Sequence, residues 1–242
     1  MRTMTYAKRN FKELLSDPLS LAFILGLPIF LLIFMVTLNK SFSFNDAFSI
    51  ENFLPSTIVF SFTFLTMFCG LLVAKDRNSS FLSRMMVSPL KPTEYILGYM
   101  LPMIVIALIQ IIILYLSGIF MGLEVNIHLF IALGFLLIIS LLFISFGLLF
   151  GSLLKDQQVG PIVSILIQVV AFMSGMWFSL EMIGGAYEVI AYILPFAHGV
   201  DLLRDVMAGN YQDIWLNLFV VLTYIAFISV FAIYVFRKRM KK

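Results

Sequence analysis

The 242-residue chain is 62% hydrophobic and only 12% charged, with a mean hydropathy of +1.05. Soluble domains carry about 25% charged residues, so this chain cannot cover a water-facing surface and lipid must cover it instead. The net charge of +3 is small and its basic residues are scattered over separate segments, which leaves nucleic-acid binding without support. A single cysteine, Cys69, set in an apolar run, excludes a disulfide or a cysteine-built metal cluster within one chain.

Residues 1–18 come first. Met4, Ala7, Phe11, Leu14 and Leu15 recur at spacings of three and four, with Lys8, Arg9, Lys12 and Glu13 on the other face. This pattern predicts an amphipathic helix on the inner leaflet, closed by Pro18. The apolar run 19–38 follows; about 20 residues at ~1.5 Å each cross a ~30 Å hydrocarbon core. It is longer than the apolar region of a secretory signal and no small-x-small site follows it, so it reads as a retained helix. Further apolar runs at 53–74, 95–121, 127–154, 158–180 and 214–236 bring the predicted crossings to six, in one all-α domain. Pro28, Pro102 and Pro161 fall inside them, which neighbouring helices in a bundle tolerate.

Two connections have a pattern of their own. In the loop 75–94, Ser79 or Ser80 caps a short helix with Phe81, Leu82, Met85 and Met86 on one side and Ser83 and Arg84 on another, ended by Pro89 and Pro92. In 181–213, two short amphipathic stretches flank Pro195, Tyr187–Leu194 and His198–Ala208, the second stopping at Gly209-Asn210. Neither is long enough to span, so each dips into the outer leaflet or caps the bundle.

The charges orient these crossings. The N-terminal segment, the loop after the second crossing, the turn after the fourth and the C-terminal tail hold fourteen of the sixteen Lys and Arg residues. The opposite side holds only Lys40 and Arg204, but eight of the thirteen acids. Basic flanks face the cytoplasm, so both termini are expected there.

Familiar catalytic patterns do not occur. There is no Gly-x-x-x-x-Gly-Lys-Ser/Thr loop, no His-Glu-x-x-His pair and no Gly-x-Ser-x-Gly elbow, which argues against P-loop nucleotide binding, zinc proteolysis and serine hydrolysis by this chain. His128 and His198 fall in different outer segments and read as interfacial. The crossing centres hold no ionisable residue, against a proton- or sodium-driven carrier. Candidates for a substrate path are Thr63, Thr66, Gln110, Gln168 and, from the adaptable methionines, Met173. The glutamines have a second reading, as interhelical hydrogen bonds of ~0.6–2 kcal/mol. Gly118/Gly122 and Gly147/Gly151 are two pairs at the spacing of close-packed helix faces.

Three stretches carry a resemblance. Ala74-Lys75-Asp76-Arg77-Asn78-Ser79-Ser80-Phe81-Leu82-Ser83-Arg84-Met85-Met86-Val87-Ser88-Pro89-Leu90 joins the second and third crossings; Phe172-Met173-Ser174-Gly175-Met176-Trp177-Phe178 lies late in the fifth; Leu194-Pro195-Phe196-Ala197-His198-Gly199-Val200-Asp201-Leu202-Leu203-Arg204 precedes the sixth. In this order, on a six-crossing layout, they resemble the membrane subunit of type-2 ATP-binding-cassette (ABC) exporters, over essentially the whole chain. The family's usual Glu-Arg stands here as Lys75-Asp76-Arg77, and Ser179-Leu180-Glu181-Met182 replaces a stretch that commonly holds a proline.

The resemblance implies roles. The first helix becomes an elbow. Ser79–Ser88 becomes a coupling helix whose Phe81, Leu82, Met85 and Met86 enter a groove on a separate ATPase, while Lys75, Arg77 and Arg84 pair with its acids. The 187–208 segment becomes an outer gate with Pro195, His198, Asp201 and Arg204. The chain itself is then no enzyme and binds no cofactor; ATP and Mg belong to two copies of the partner ATPase. A second permease copy, identical or related, completes the path. The implied setting is a bacterial plasma membrane, and the implied cargo a hydrophobic or amphiphilic drug, antibiotic or peptide. A lipid-linked glycan exporter and a non-transporting scaffold or sensor are the alternatives.

Overall fold

The computed structural model describes residues 2–42, 46–78, 92–212 and 214–240. Every regular element among them is helical, as lipid demands of a chain that must satisfy its backbone polar groups internally. Six helices are long and apolar enough to cross a membrane, in the places of the six apolar runs. We number the elements α1 (Arg2–Leu15), α2 (Pro18–Phe42), α3 (Ile50–Asn78), α4 (Pro92–Phe120) and α5 (Ile127–Leu153). They continue as α6 (Asp156–Met173), α7 (Leu180–Ile183), α8 (Gly185–Ile193), α9 (Pro195–Ala208) and α10 (Ile214–Met240). The coupling helix expected over Ser79–Ser88 lies outside the described residues, and with it Phe81, Leu82, Arg84, Met85 and Met86.

Helix ends follow their capping chemistry. Pro18 closes α1 but also opens α2, because Asp17 caps it, with Oδ1 accepting the Ser20 amide at 3.2 Å. A proline in the first turn gives up an N–H that has no intrahelical partner. Pro92 and Pro195 likewise sit in first turns, so the outer helix starts at Pro195 rather than at His198. It stops where expected: Gly209, at φ +78°, takes the left-handed conformation and the Asn210 amide reaches the Asp205 carbonyl at 2.8 Å. The fifth crossing is shorter than its apolar run, ending at Met173 instead of near 180, because the chain turns at Gly175, φ +73°.

Helix α3 is the axle of the bundle, buried on nearly every side and packed by α2, α4, α5, α6 and α9. Its closest neighbour is α5. Gly147 and Gly151 of α5 face Cys69, Gly70 and Val73 of α3, and a Cβ on Gly151 would lie 2.6 Å from the Gly70 carbonyl oxygen. Thr66 Oγ1 donates to the Phe143 carbonyl across this seam at 2.7 Å. The pair 147/151 is therefore a close-packing face. Of the other pair, Gly118 meets Leu54, whereas Gly122 lies beyond the end of α4 at φ +105°.

Gln110 joins helices. Pro28 has no N–H to return to the Ile24 carbonyl, and α2 loosens there into a π-helical turn over Ala22–Gly26. Gln110 Nε2, from α4, donates to the Ile24 carbonyl at 3.0 Å and to the Ser61 carbonyl of α3 at 3.2 Å. One amide thus ties three helices and fills an acceptor that the proline left open.

Candidate functional site

Two polar clusters occupy opposite ends of the bundle. At the basic end the centre is Asp76, near the C-terminus of α3, with its side chain 3% exposed. Arg9 of α1 grips it with both terminal nitrogens, NH1 to Oδ2 at 2.7 Å and NH2 to Oδ1 at 2.8 Å. The Tyr6 hydroxyl donates to Oδ2 at 3.1 Å and the Tyr99 hydroxyl of α4 at 3.0 Å. Burial and the Asp76 charge push the Tyr6 phenol up, and the hydrogen bond to Asp76 pushes the Arg9 guanidinium up. A buried carboxylate is tolerable only when paired and hydrogen-bonded in this way.

The tyrosines also pack. The Tyr6 ring stands edge-on to Tyr95 and Tyr99, with centroids 6.0 and 5.3 Å away, in the space left by Gly98, where a Cβ would fall 2.2 Å from Tyr6 Cδ1. Asn10, fully buried, donates to the Gly98 carbonyl at 3.0 Å. The buried face of α1 is therefore Tyr6, Ala7, Asn10 and Leu14, rather than the full set Met4, Ala7, Phe11, Leu14 and Leu15 singled out by hydrophobicity.

Of the two coupling candidates that are described, Lys75 is exposed and pairs with Glu13 at 2.7 Å. Arg77 donates to the Ser152 and Leu154 carbonyls at the end of α5, groups that a helix C-terminus leaves without partners. Asn78 Nδ2 donates to Asp156 Oδ1 at 3.0 Å in the first turn of α6. Both chain ends that flank residues 79–91 are thus fastened to the bundle, Asn78 through α3 and Pro92 through the Tyr95–Gly98–Tyr99 face of α4. An open cavity of about 350 Å³ lies beside them, lined by Glu13, Ser20, Phe68, Leu72, Lys75 and Asp156.

At the acidic end the four gate candidates converge. α8 and α9 meet at 86° across Leu194, and Pro195 starts α9. The Arg204 guanidinium crosses from α9 to the core, donating to the Asn52 carbonyl at 3.3 Å, to Ser56 Oγ at 2.9 Å and to the Gly175 carbonyl at 2.8 Å. Asp201 lies 3.6 Å from it and accepts the Tyr192 hydroxyl at 2.9 Å; burial raises the Asp201 carboxyl. His198 is buried, its Nε2 donating to the Tyr192 carbonyl at 2.9 Å and its Nδ1 lying 2.6 Å from the Asn217 amide oxygen. This one network therefore staples α9 to α3, α8, α10 and the turn after α6. Arg204 also lines two open cavities, of about 410 Å³ with Ser179, Glu181, Asp201 and Asn217, and of about 200 Å³ with Asn52, Glu124 and Leu129. Sequence reasoning missed Ser56, Asn52, Tyr192 and Asn217; Asn52 and Ser56 meet Arg204 from far along the chain, while Tyr192 reaches Asp201 and His198 only across the bend at Leu194.

The five path candidates separate. Thr63 is buried and bonds its own helix at the Phe60 carbonyl, 2.6 Å away. Thr66 and Gln110 hold helices together, as above. Met173 is half-buried against the small cluster of Leu180, Ala191 and Ala197. Gln168 alone is exposed, and it has company: Gln157, Pro161, Ser164 and Gln168 form one exposed stripe along α6, at spacings of three and four that share a helix face.

Among the described residues no group of three His, Cys, Asp or Glu side chains could hold a metal ion. Residues 1–208 match the model of a protein family described as ABC-2 type transporter. A curated relative, ABC transporter G family member 20 of Dictyostelium discoideum, is 26% identical over 166 residues, which are 66% of this chain and 23% of that protein. The chain thus spans less than a quarter of the length of that relative.

Proposed function

The chain belongs to the ABC-2 type transporter family, and we propose that it is the permease half of an ATP-driven exporter for a hydrophobic or amphiphilic compound, such as a drug, an antibiotic or a peptide. The reading places it in a bacterial plasma membrane with its basic end in the cytoplasm, following the distribution of Lys and Arg. Energy comes from two copies of a separate ABC ATPase, to which ATP and Mg bind.

The observation that carries this reading is the stripe of Gln157, Pro161, Ser164 and Gln168 on α6. A primary amide facing hydrocarbon costs free energy, and Gln168 is exposed on a membrane-length helix. A second permease, identical or related, covers that face, and the translocation path runs between the two halves. Cysteine at position 168 is therefore expected to cross-link to the neighbouring permease chain under a thiol-bridging reagent, whereas cysteine at Leu216, exposed on α10, is not. Cross-linking at Leu216 with none at 168 would show that the halves meet elsewhere.

The mechanism follows from rigid connection. ATP closes the ATPase pair, the segment 79–91 moves with it, and helices fastened at Asp76, Arg77 and Asn78 carry the motion across the membrane. The loop must bind the two ATPase states differently, since only a difference in affinity transfers energy. Phe81→Asp and Met85→Asp are expected to abolish co-purification of the ATPase while the chain still inserts. Undiminished co-purification from both variants would remove the coupling role of this segment.

A further inference from the structure

His198 is one proton short if its ring is neutral. A neutral imidazole donates from one nitrogen and accepts at the other, yet both nitrogens here face an oxygen. Nε2 lies 2.9 Å from the Tyr192 carbonyl and Nδ1 2.6 Å from the Asn217 amide oxygen. With the amide in this orientation, both bonds form only on the charged, doubly protonated ring. His198 is buried where α8, α9 and α10 meet, so water does not replace a bond that is lost.

Three residues on, Asp201 supplies a counter-charge. Its carboxylate accepts the Tyr192 hydroxyl at 2.9 Å and stands 3.6 Å from the Arg204 guanidinium, beyond direct hydrogen-bonding distance. Burial raises this carboxyl, so it too keeps a proton more readily with the helices packed than apart. The groups around the pair are mostly acidic, which favours a held proton. Arg204 and Asp205 come from α9, Glu181 from α7, and Tyr192 and Glu188 from α8. Helix α10 brings Asn217 and, at the Ile193 carbonyl, the Tyr224 hydroxyl, while α3 brings Glu51 to a cavity that Arg204 also lines. The histidine of α5, His128, meets Tyr211 instead, and Asp156 of α6 lies in the first turn, at the basic end.

We propose that α8 and α9 form a proton-controlled lid, which takes up a proton at the pair of His198 and Asp201 on closing and releases it on opening. The sign follows from linkage. The closed state binds the proton more tightly, so it gains as pH falls and loses as pH rises, by up to about tenfold in population per pH unit for one proton. That the proton leaves to the outer medium rests on the export reading; there, acid outside holds the lid shut and slows release of the cargo.

The test follows amide hydrogen exchange of the full chain in nanodiscs, without the ATPase. It runs from about pH 5.5 to about pH 8.5, where histidine titrates, with each rate divided by the intrinsic chemical rate at that pH. Protection of residues 200–207 in α9 is expected to fall as pH rises, by up to about tenfold per unit. Residues 143–147, in the seam of α5, should keep theirs. His198→Gln combined with Asp201→Asn should flatten the response. The chain has two histidines, so nitrogen-15 histidine in a His128→Gln background reports a single ring. That ring is expected to be charged at the acid end and neutral at the alkaline end, its midpoint tracking the exchange. Protection of α9 that ignores pH overturns the proposal, as does an equal response in the double variant or in the α5 seam. So does a ring that keeps one protonation state throughout; if neutral, the Asn217 amide is turned and donates to Nδ1. None of these readouts needs transport, so the export reading stands or falls separately.

Discussion

An Asp76→Ala variant is expected to let α1 swing off the bundle while the six crossings stay in place. Removing one partner of a buried ion pair costs about 3–5 kcal/mol, and here it also strands the hydroxyls of Tyr6 and Tyr99. Arg9 is 36% exposed, so water recovers part of that cost and the lower end of the range applies. At 1.4 kcal/mol per factor of ten, about 3 kcal/mol makes local opening of α1 roughly a hundredfold more frequent. Trypsin, which cuts after Lys8, Arg9 and Lys12, reports the opening as faster cleavage in detergent. Asp76→Asn keeps an acceptor for the tyrosines without the charge and should fall between. Asp76→Glu keeps the charge and should be mildest. Cleavage of the alanine variant at the parental rate would mean that apolar packing of Tyr6 and Leu14, not the carboxylate, holds the helix.

The second large effect lies in the seam between α3 and α5, toward the basic end of the bundle. A Cβ on Gly151 would sit 2.6 Å from the Gly70 carbonyl oxygen and 2.6 Å from Val73 Cβ; on Gly147 it would sit 2.7 Å from Cys69 Cβ and 2.9 Å from the Thr66 carbonyl oxygen. These neighbours are backbone atoms and first side-chain carbons, which cannot rotate away, so α3 and α5 have to part. Gly151→Val and Gly147→Val are each expected to cost about 1–3 kcal/mol or more. At about 2–4 °C per kcal/mol for a chain of this length, thermal aggregation in detergent should begin several degrees lower. Gly134→Ala and Gly160→Ala serve as controls, because nothing lies within 4 Å of where a methyl group would stand on either glycine. If all four variants melt alike, the seam is not a close contact.

Much of this architecture could be read from the chain before its fold was known. Six crossings followed from run length against bilayer thickness, a constraint that needs no partner information. The two short outer stretches were legible as well, because Pro195 and Gly209 mark their own positions. What escaped were bonds between residues far apart in sequence. Gln110 and Gln168 are the same residue type in similar runs, yet one fills the carbonyl opened by Pro28 and the other faces outward; only the fold distinguishes them. The docking face of α1 escaped for another reason. Tyr6 and Asn10 are polar, so a search for apolar periodicity passes over them, although Tyr95, Gly98 and Tyr99, with a carboxylate between Lys75 and Arg77, were a usable clue. The coupling role of Phe81 and its neighbours rests on the family resemblance alone.

Arg77 and Asn78 have a consequence for leverage. By clasping the last carbonyls of α5 and the first turn of α6, they make the exit of α3 a shared corner of three rods. A tug on the chain beyond Asn78 then does not bend one rod. It loads all three at that corner, from which the stripe of Gln157, Pro161, Ser164 and Gln168 runs along α6.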